Sequence, residues 1–191
     1  MQTTTKKMSN FEYEKLPEGQ PQQLIDGEVI MSPSPSAIHQ SIVLELAALL
    51  KNHIDKNLLG YLFIAPIDVF LREGEVYQPD IIFISKKNKN IIHEKIKGVP
   101  DIVVEVPSTS TAYYDLLVHK KNIYEETGVK EFWVIDPDGK TVEIYENVSN
   151  AYRLFSKVRT SGTISSKLLD GFNLKVENLF LQPGVGSHND G

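Results

Sequence analysis

Two short segments, Asp80-Ile-Ile-Phe-Ile-Ser85 and Asp101-Ile-Val-Val-Glu-Val106, are apolar at nearly every position between their ends. A strand with one face in water alternates apolar and polar residues, whereas a run without alternation has both faces covered. Neither run approaches the ~20 residues of a membrane span. Two strands of this kind need cover on each side of their sheet, which calls for a layered fold with helices flanking a central sheet.

The remaining elements fit that frame. Gln-Gln-Leu-Ile-Asp-Gly-Glu-Val-Ile-Met (22–31) reads as a hairpin turning at Asp26-Gly27. Ser-Pro-Ser-Pro-Ser (32–36) stops the sheet, and Ser36 is placed to cap a helix. Ile38, Ile42, Leu46, Leu49, Leu50 and Ile54 then recur at helical spacing and predict an amphipathic helix over 37–56. Residues 61–72 form a long β-prone run ending in an Arg-Glu-Gly-Glu turn (72–75), and a lysine-rich stretch fills 86–97. Ser108 to Thr111 cap a predicted helix of 112–127 that Gly128 closes. Strands are predicted at 132–136, 142–145 and 151–157, followed by a short C-terminal element. Strand 102–106, helix 112–127 and strand 132–136 make a unit that implies parallel pairing and a right-handed crossover. The fold class is α/β, bordering on α+β, with a mixed central sheet. Residues 11–182 are expected to form one domain between frayed ends at 1–10 and 183–191.

Composition narrows the chemistry. The 191 residues contain no cysteine, so disulfides, thiolate metal sites and cysteine nucleophiles are excluded. The opening Met-Gln-Thr-Thr-Thr-Lys-Lys lacks the apolar stretch of a signal peptide, and a cytoplasmic protein without membrane association is expected. With 20 Lys+Arg against 25 Asp+Glu, bulk positive charge cannot be what draws a nucleic acid. A local patch of Lys86, Lys87, Lys89, Lys95 and Lys97 reads either as a phosphate grip or as a solvated loop.

Asp80 opens one apolar run and Glu105 interrupts the other. A strand buried on both faces is a costly place for a charge unless the charge is paired or binds metal. Two carboxylates on neighbouring strands are the hard oxygen donors that Mg²⁺ takes, and Mg²⁺ suits phosphodiester hydrolysis. The plain alternative is that Asp80 caps a strand start and Glu105 pairs with a lysine. Lys120 and Lys121 lie on the helix that follows Glu105; Lys120 shares a face with Tyr124, and Lys121 points about 100° away. His39, at the start of the first long helix, is a candidate ligand or proton donor, or simply a capping residue. Asp68 is a third strand carboxylate that could support the site. There is no Gly-x-Gly-x-x-Gly, no P-loop, no Gly-x-Ser-x-Gly and no histidine pair at zinc spacing.

Four stretches (QLIDGEVIMSPSPSAIHQ, VYQPDIIFIS, GVPDIVVEVPSTSTAYYDL and KKNIYEETGVKEFWVIDPDGKTVEIY) resemble, in order and spacing, a family of small bacterial proteins classed with the restriction endonucleases. That family, long a domain of unknown function, falls in the PD-(D/E)XK nuclease-like superfamily. The resemblance spans roughly residues 10–180. It places the PD motif on Pro79-Asp80 and the second acid on Glu105. The superfamily's lysine, two residues after that acid, is replaced here by Pro107. The family's Lys-x-x-x-Tyr pattern on the next helix matches Lys120 and Tyr124, with Lys121 the alternative. Where the family often has glutamate before the hairpin, this chain has Gln23.

The resemblance implies a Mg²⁺-dependent endonuclease, with Mn²⁺ as substitute, cutting DNA. Asp80, Glu105 and the Val106 carbonyl would hold the metal, Lys120 would position water, and a homodimer would serve duplex cleavage. Two rivals stand beside it. One is a non-catalytic nucleic-acid-binding or interaction module on the same scaffold. The other is a metal-dependent hydrolase of some other substrate.

Overall fold

A computed structural model describes residues 7–17, 20–107 and 111–180, without the side chains of 111–114. The chain runs α1 (Asn10–Tyr13), β1 (Gln22–Ile25), β2 (Glu28–Met31), α2 (Ala37–Lys56), β3 (Gly60–Ile64), β4 (Val69–Arg72), β5 (Glu75–Tyr77) and β6 (Ile81–Ser85). A 3₁₀ turn (Lys86–Ile91) leads to β7 (Ile96–Lys97) and β8 (Ile102–Glu105). Then come α3 (Thr111–Thr127), β9 (Glu131–Asp136), β10 (Thr141–Asn147), β11 (Tyr152–Arg159), β12 (Thr163–Ser165), β13 (Asn173–Lys175) and α4 (Val176–Phe180). It is a mixed α/β fold with two large mixed sheets, ordered β2-β1-β5-β4-β7 and β11-β10-β9-β8-β6-β3. No helix among the described residues is long and apolar enough to cross a membrane.

The six-stranded sheet carries the two apolar runs side by side. β6 and β8 pair antiparallel, with Ile81 opposite Val104, and β8 pairs parallel with β9. Successive side chains on a strand point to opposite faces. On one face Ile81, Phe83, Ile102, Val104 and Trp133 pack with Ile42, Leu46 and Leu50 of α2. On the other, Ile82, Ile84, Val103 and Phe132 pack with Ile123 and Tyr124 of α3. Glu105 has the parity of Val103 and therefore belongs to the α3 face.

Several elements follow directly from local sequence. Asp26 and Gly27 both have positive φ (47° and 74°), as a two-residue type I′ hairpin requires. Ser36 caps α2 by accepting from the His39 amide. Ile38, counted on the apolar face, is 44 % exposed, because it lies in the first turn, ahead of the residues that meet the sheet.

The run 61–72 is not one strand. It breaks at Ala65-Pro66, a cis peptide, because proline cannot donate to a ladder. β3 pairs with β6 in one sheet, and β4 pairs with β5 and β7 in the other. This segment is the seam between the sheets. The stretch 86–97 is likewise more than a solvated loop, since Ile91 and Ile96 are buried in the core. At the N-terminus, Met8 donates its amide to the Gly27 carbonyl and Ser9 forms a capping box with Glu12, so residues 8–10 are tied down. The expected cap at Ser108 to Ser110 and the tail 183–191 fall outside the described residues.

Candidate active site

The antiparallel register brings the start of β6 against the end of β8, which sets Asp80 beside Glu105. Asp80 is fastened there from three sides. Its Oδ2 accepts from the Val106 amide at 2.7 Å, its Oδ1 lies 3.0 Å from Nε2 of His39, and its main-chain carbonyl accepts from the Ala65 amide. The His39 ring reaches the end of the sheet from the first turn of α2. Its Nδ1 is buried and has no hydrogen-bond partner among the described residues. Burial disfavours the charged ring, but the hydrogen bond and charge of Asp80, with Glu105 beyond it, outweigh burial and hold the His39 pKa above its ordinary value.

Glu105 is 1 % exposed. Lys120 Nζ at 2.9 Å and Tyr124 Oη at 2.7 Å both donate to its Oε1. This is the consequence of a four-residue spacing on α3, which stacks the two side chains on one face one turn apart. Burial is the main cause that raises the Glu105 pKa; Lys120 opposes it and the nearby Asp80 charge adds to it. Lys120, also 1 % exposed, is among the largest fully buried side chains. Behind it stands Tyr77, edge-on to the Tyr124 ring at 5.6 Å between centroids and 5.5 Å from Lys120 Nζ. Tyr77 is anchored in turn by its hydroxyl on Glu75 Oε2 at 2.6 Å. Nothing in the sequence singled out Tyr77 or Glu75. Glu75 reads there as part of a turn, and a tyrosine in a strand is ordinary core.

Thus Asp80, Glu105, Lys120, Tyr124, His39 and the Val106 backbone are gathered at one place, and the other sequence candidates are not. Gln23 is buried with both ends of its amide engaged: Nε2 donates to Ser32 and Oε1 accepts from the Gln78 amide. It staples the hairpin to the segment entering Pro79-Asp80 and has no bond to either acid. Lys121 faces Tyr145 instead, 3.5 Å from its ring centroid. Asp68 accepts from Gln78 and pairs with Lys95 at 3.1 Å, so it belongs to the seam between the sheets. The lysine patch does not border the site. Lys86, Lys87 and Lys89 follow the far end of β6, about 17 Å along the strand at ~3.4 Å per residue. Lys97 pairs with Glu14.

Chemically, the cluster sets two carboxylates against a lysine ammonium and an imidazole, nearly out of water. Two hard carboxylate donors on facing strand ends suit an oxygen-seeking divalent cation. Burial, the main cause that lifts the Glu105 pKa, and the added Asp80 charge both disfavour its ionised form, and a cation beside the carboxylates would offset both. Among the described residues, no group of three or more His, Asp or Glu side chains forms a metal cage.

The chain and its fold have known relatives. No curated protein matches the sequence. A crystal structure described as "a putative nuclease belonging to DUF820", from Anabaena variabilis ATCC 29413, superimposes with a TM-score of 0.74 at 20 % identity. The match covers 91 % of this chain and 97 % of that one and shows a shared fold. The model of a family described as "Putative restriction endonuclease" matches residues 11–177. That range contains every residue of the cluster, and the chain belongs to this family, Uma2.

Proposed function

We propose that the chain is a Mg²⁺-dependent endonuclease that hydrolyses phosphodiester bonds in DNA. The observation that carries this reading is the pairing of Asp80 with Glu105 at facing strand ends, with Lys120 and Tyr124 converging on Glu105 Oε1. Asp80 and Glu105 would hold the cation, with the Val106 carbonyl as a third oxygen. When bound, the metal supplies a more acidic water and a polarised phosphoryl group. Lys120 is the residue to orient a water beside Glu105 and to offset the negative charge that builds on the phosphate. Tyr124 fixes the Glu105 rotamer from the same helix face, and His39 holds the Asp80 carboxylate in place. The absence of a lysine at position 107 is answered by Lys120, which reaches the acid from α3.

A non-catalytic scaffold remains the second reading, favoured by one observation. Each acid already has a partner within the protein, Lys120 on Glu105 and His39 on Asp80. The test separates the two. Mn²⁺ is titrated into wild type, Asp80→Ala and Glu105→Ala by calorimetry, and Mg²⁺-dependent cleavage of plasmid and single-stranded DNA is then assayed. Binding lost in both variants, together with cleavage lost in Asp80→Ala while its circular dichroism is unchanged, supports the nuclease. Full cleavage by Asp80→Ala, or no metal binding by wild type at millimolar Mn²⁺, overturns it.

A further inference from the structure

A second pocket lies on the same side of α3 as Lys121, between that helix and strands β9 to β11. Its volume is about 310 Å³, and it is lined by Leu117, Val134, Tyr145, Lys121, Glu143 and Pro107, among others. Such a volume is at the small end of ligand pockets, enough for one nucleotide-sized molecule and too small for a duplex. Its walls are of two kinds. Leu117, Val134 and the Tyr145 ring are flat or apolar. Lys121 brings a cation whose ammonium rests on the Tyr145 face at 3.5 Å. Among the described residues no carboxylate stands within ion-pair distance of Lys121.

The acids in the pocket are committed elsewhere. Glu143 is held by Lys157 at 2.7 Å and by the Tyr145 hydroxyl. Asp136 accepts from the Asp138 and Gly139 amides and so belongs to the β9–β10 turn. Burial pulls the Lys121 pKa down, and the charges of Glu143 and Glu125 only partly restore it. A partly buried ammonium outside ion-pair range of any described carboxylate, with neighbouring Glu143 already held by Lys157, is a place where an arriving anion gains interaction.

The pocket also adjoins the cluster already described. Pro107, in its wall, follows Glu105 by two residues, so their Cα atoms are at most about 7.6 Å apart. Lys121 follows Lys120 directly on α3. The pocket thus sits at the end of β8 that carries Glu105.

We propose that this pocket is a nucleotide subsite, in which Lys121 takes a phosphate and the apolar wall with Tyr145 takes the attached sugar and base. The inference rests on the nuclease reading for its substrate class. It gives Lys121 a role apart from Lys120, in holding substrate rather than in the chemistry.

The test is binding without metal. In EDTA, deoxyadenosine 5′-monophosphate, deoxyribose 5-phosphate and inorganic phosphate are titrated by calorimetry into wild type, Lys121→Met, Lys121→Arg and Asp80→Ala. The proposal expects the nucleotide to bind wild type and Asp80→Ala alike. Loss of one charge-assisted contact in Lys121→Met should weaken it at least about tenfold, and Lys121→Arg should retain it. The two phosphates without a base should bind at least about tenfold more weakly than the nucleotide. No nucleotide binding, equal binding by inorganic phosphate, or an unaltered affinity in Lys121→Met overturns the subsite. A folded Lys121→Met is verified by its thermal transition, and loss of binding in both Lys121 variants also counts against the charge. The two readings fail separately. Cleavage by Asp80→Ala would sink the nuclease and leave nucleotide binding standing, whereas a dead Asp80→Ala with unchanged Lys121→Met would sink only the subsite.

Discussion

Asp101 and Glu105 stand four residues apart, at the two ends of β8, and are 2 % and 1 % exposed. Each has a lysine, yet their pKa values move in opposite directions. Burial raises both. At Asp101 the Lys130 hydrogen bond and the Ser85 amide prevail, and the pKa falls below its ordinary value. At Glu105 the cation is opposed by burial and by Asp80, and the pKa rises. Glu131, beside Asp101, shows the same contrast in hydrogen bonds. Its two oxygens accept from Trp133 Nε1, Ser166 Oγ and the amides of Lys167 and Leu168, at 2.8–2.9 Å. One end of the sheet therefore holds acids that are saturated by donors and stabilise the fold. At the other end both acids also accept hydrogen bonds, but there burial, with the Asp80 charge added, keeps the Glu105 pKa above its ordinary value.

Removing the saturated acid should do the most damage. Glu131→Ala strands an indole N–H, a hydroxyl and two amides in the interior, and a loss of about 4 kcal/mol or more is expected by urea denaturation. Mn²⁺ affinity of whatever remains folded should be unchanged. A loss under about 1 kcal/mol would break the distinction between the two ends. Next comes Lys120→Met, which leaves Glu105 buried without its cation and should destabilise by about 3 kcal/mol. Adding Glu105→Leu should recover most of that, since an apolar pair of similar volume can replace a buried ion pair. Failure of the double variant to recover would mean that Tyr124 and Asp80, rather than the ion pair, dominate the energetics there.

The comparison also explains what the sequence could reveal. Asp80 and Glu105 were visible because each is a charge at an apolar position, and Lys120 with Tyr124 because four residues make a helical face. Asp101 and Glu131 are as deeply buried, but they stand at strand starts, where a single sequence shows only an acid near a turn. Their partners, Lys130, Ser166 and the loop amides, come from distant segments or from backbone. The split of 61–72 into two sheets was hidden for a similar reason. β propensity runs straight through Ala65-Pro66, and only the pairing partners of β3 and β4 reveal that the chain changes sheets. Gln23 is placed near the acids by the resemblance and Lys121 by its helix as well, but their side chains contact Ser32, Gln78 and Tyr145 instead.

Asp80→Asn gives a smaller effect and tests the repulsion directly. The asparagine carbonyl can still accept from Val106, so stability should change by no more than about 1 kcal/mol, relief from Glu105 offsetting the lost His39 pair. The Glu105 pKa should fall and that of His39 should fall as well, because each is raised in part by the Asp80 charge. Carboxyl and imidazole resonances followed by NMR against pH report both shifts. An unmoved Glu105 would assign its elevation to burial alone.

The smallest effect lies at the other end of β8 and has the opposite sign. A carboxylate with a lowered folded pKa contributes stability that is present above its unfolded value and lost as pH falls through the folded value. Asp101 is of this kind. Glu105, raised, contributes stability present below its unfolded value and lost as pH rises through the folded one. Lys130 is 57 % exposed, so solvent screens its charge and Lys130→Met should cost under about 1 kcal/mol at neutral pH. Its signature is a displacement rather than a size. With the cation gone, burial pulls the Asp101 pKa back up, and the acid-side loss of stability should begin at higher pH than in wild type. Glu105→Gln should leave that acid limb in place and instead flatten the decline on the rising side. Stability measured by urea at a series of pH values, in low and in high salt, separates the two. Salt should shrink the Lys130 effect, because that pair meets water, and leave the Glu105 effect nearly intact, because Lys120 does not. Equal salt sensitivity at both ends would mean that the carboxylates at the candidate site are hydrated rather than held out of water.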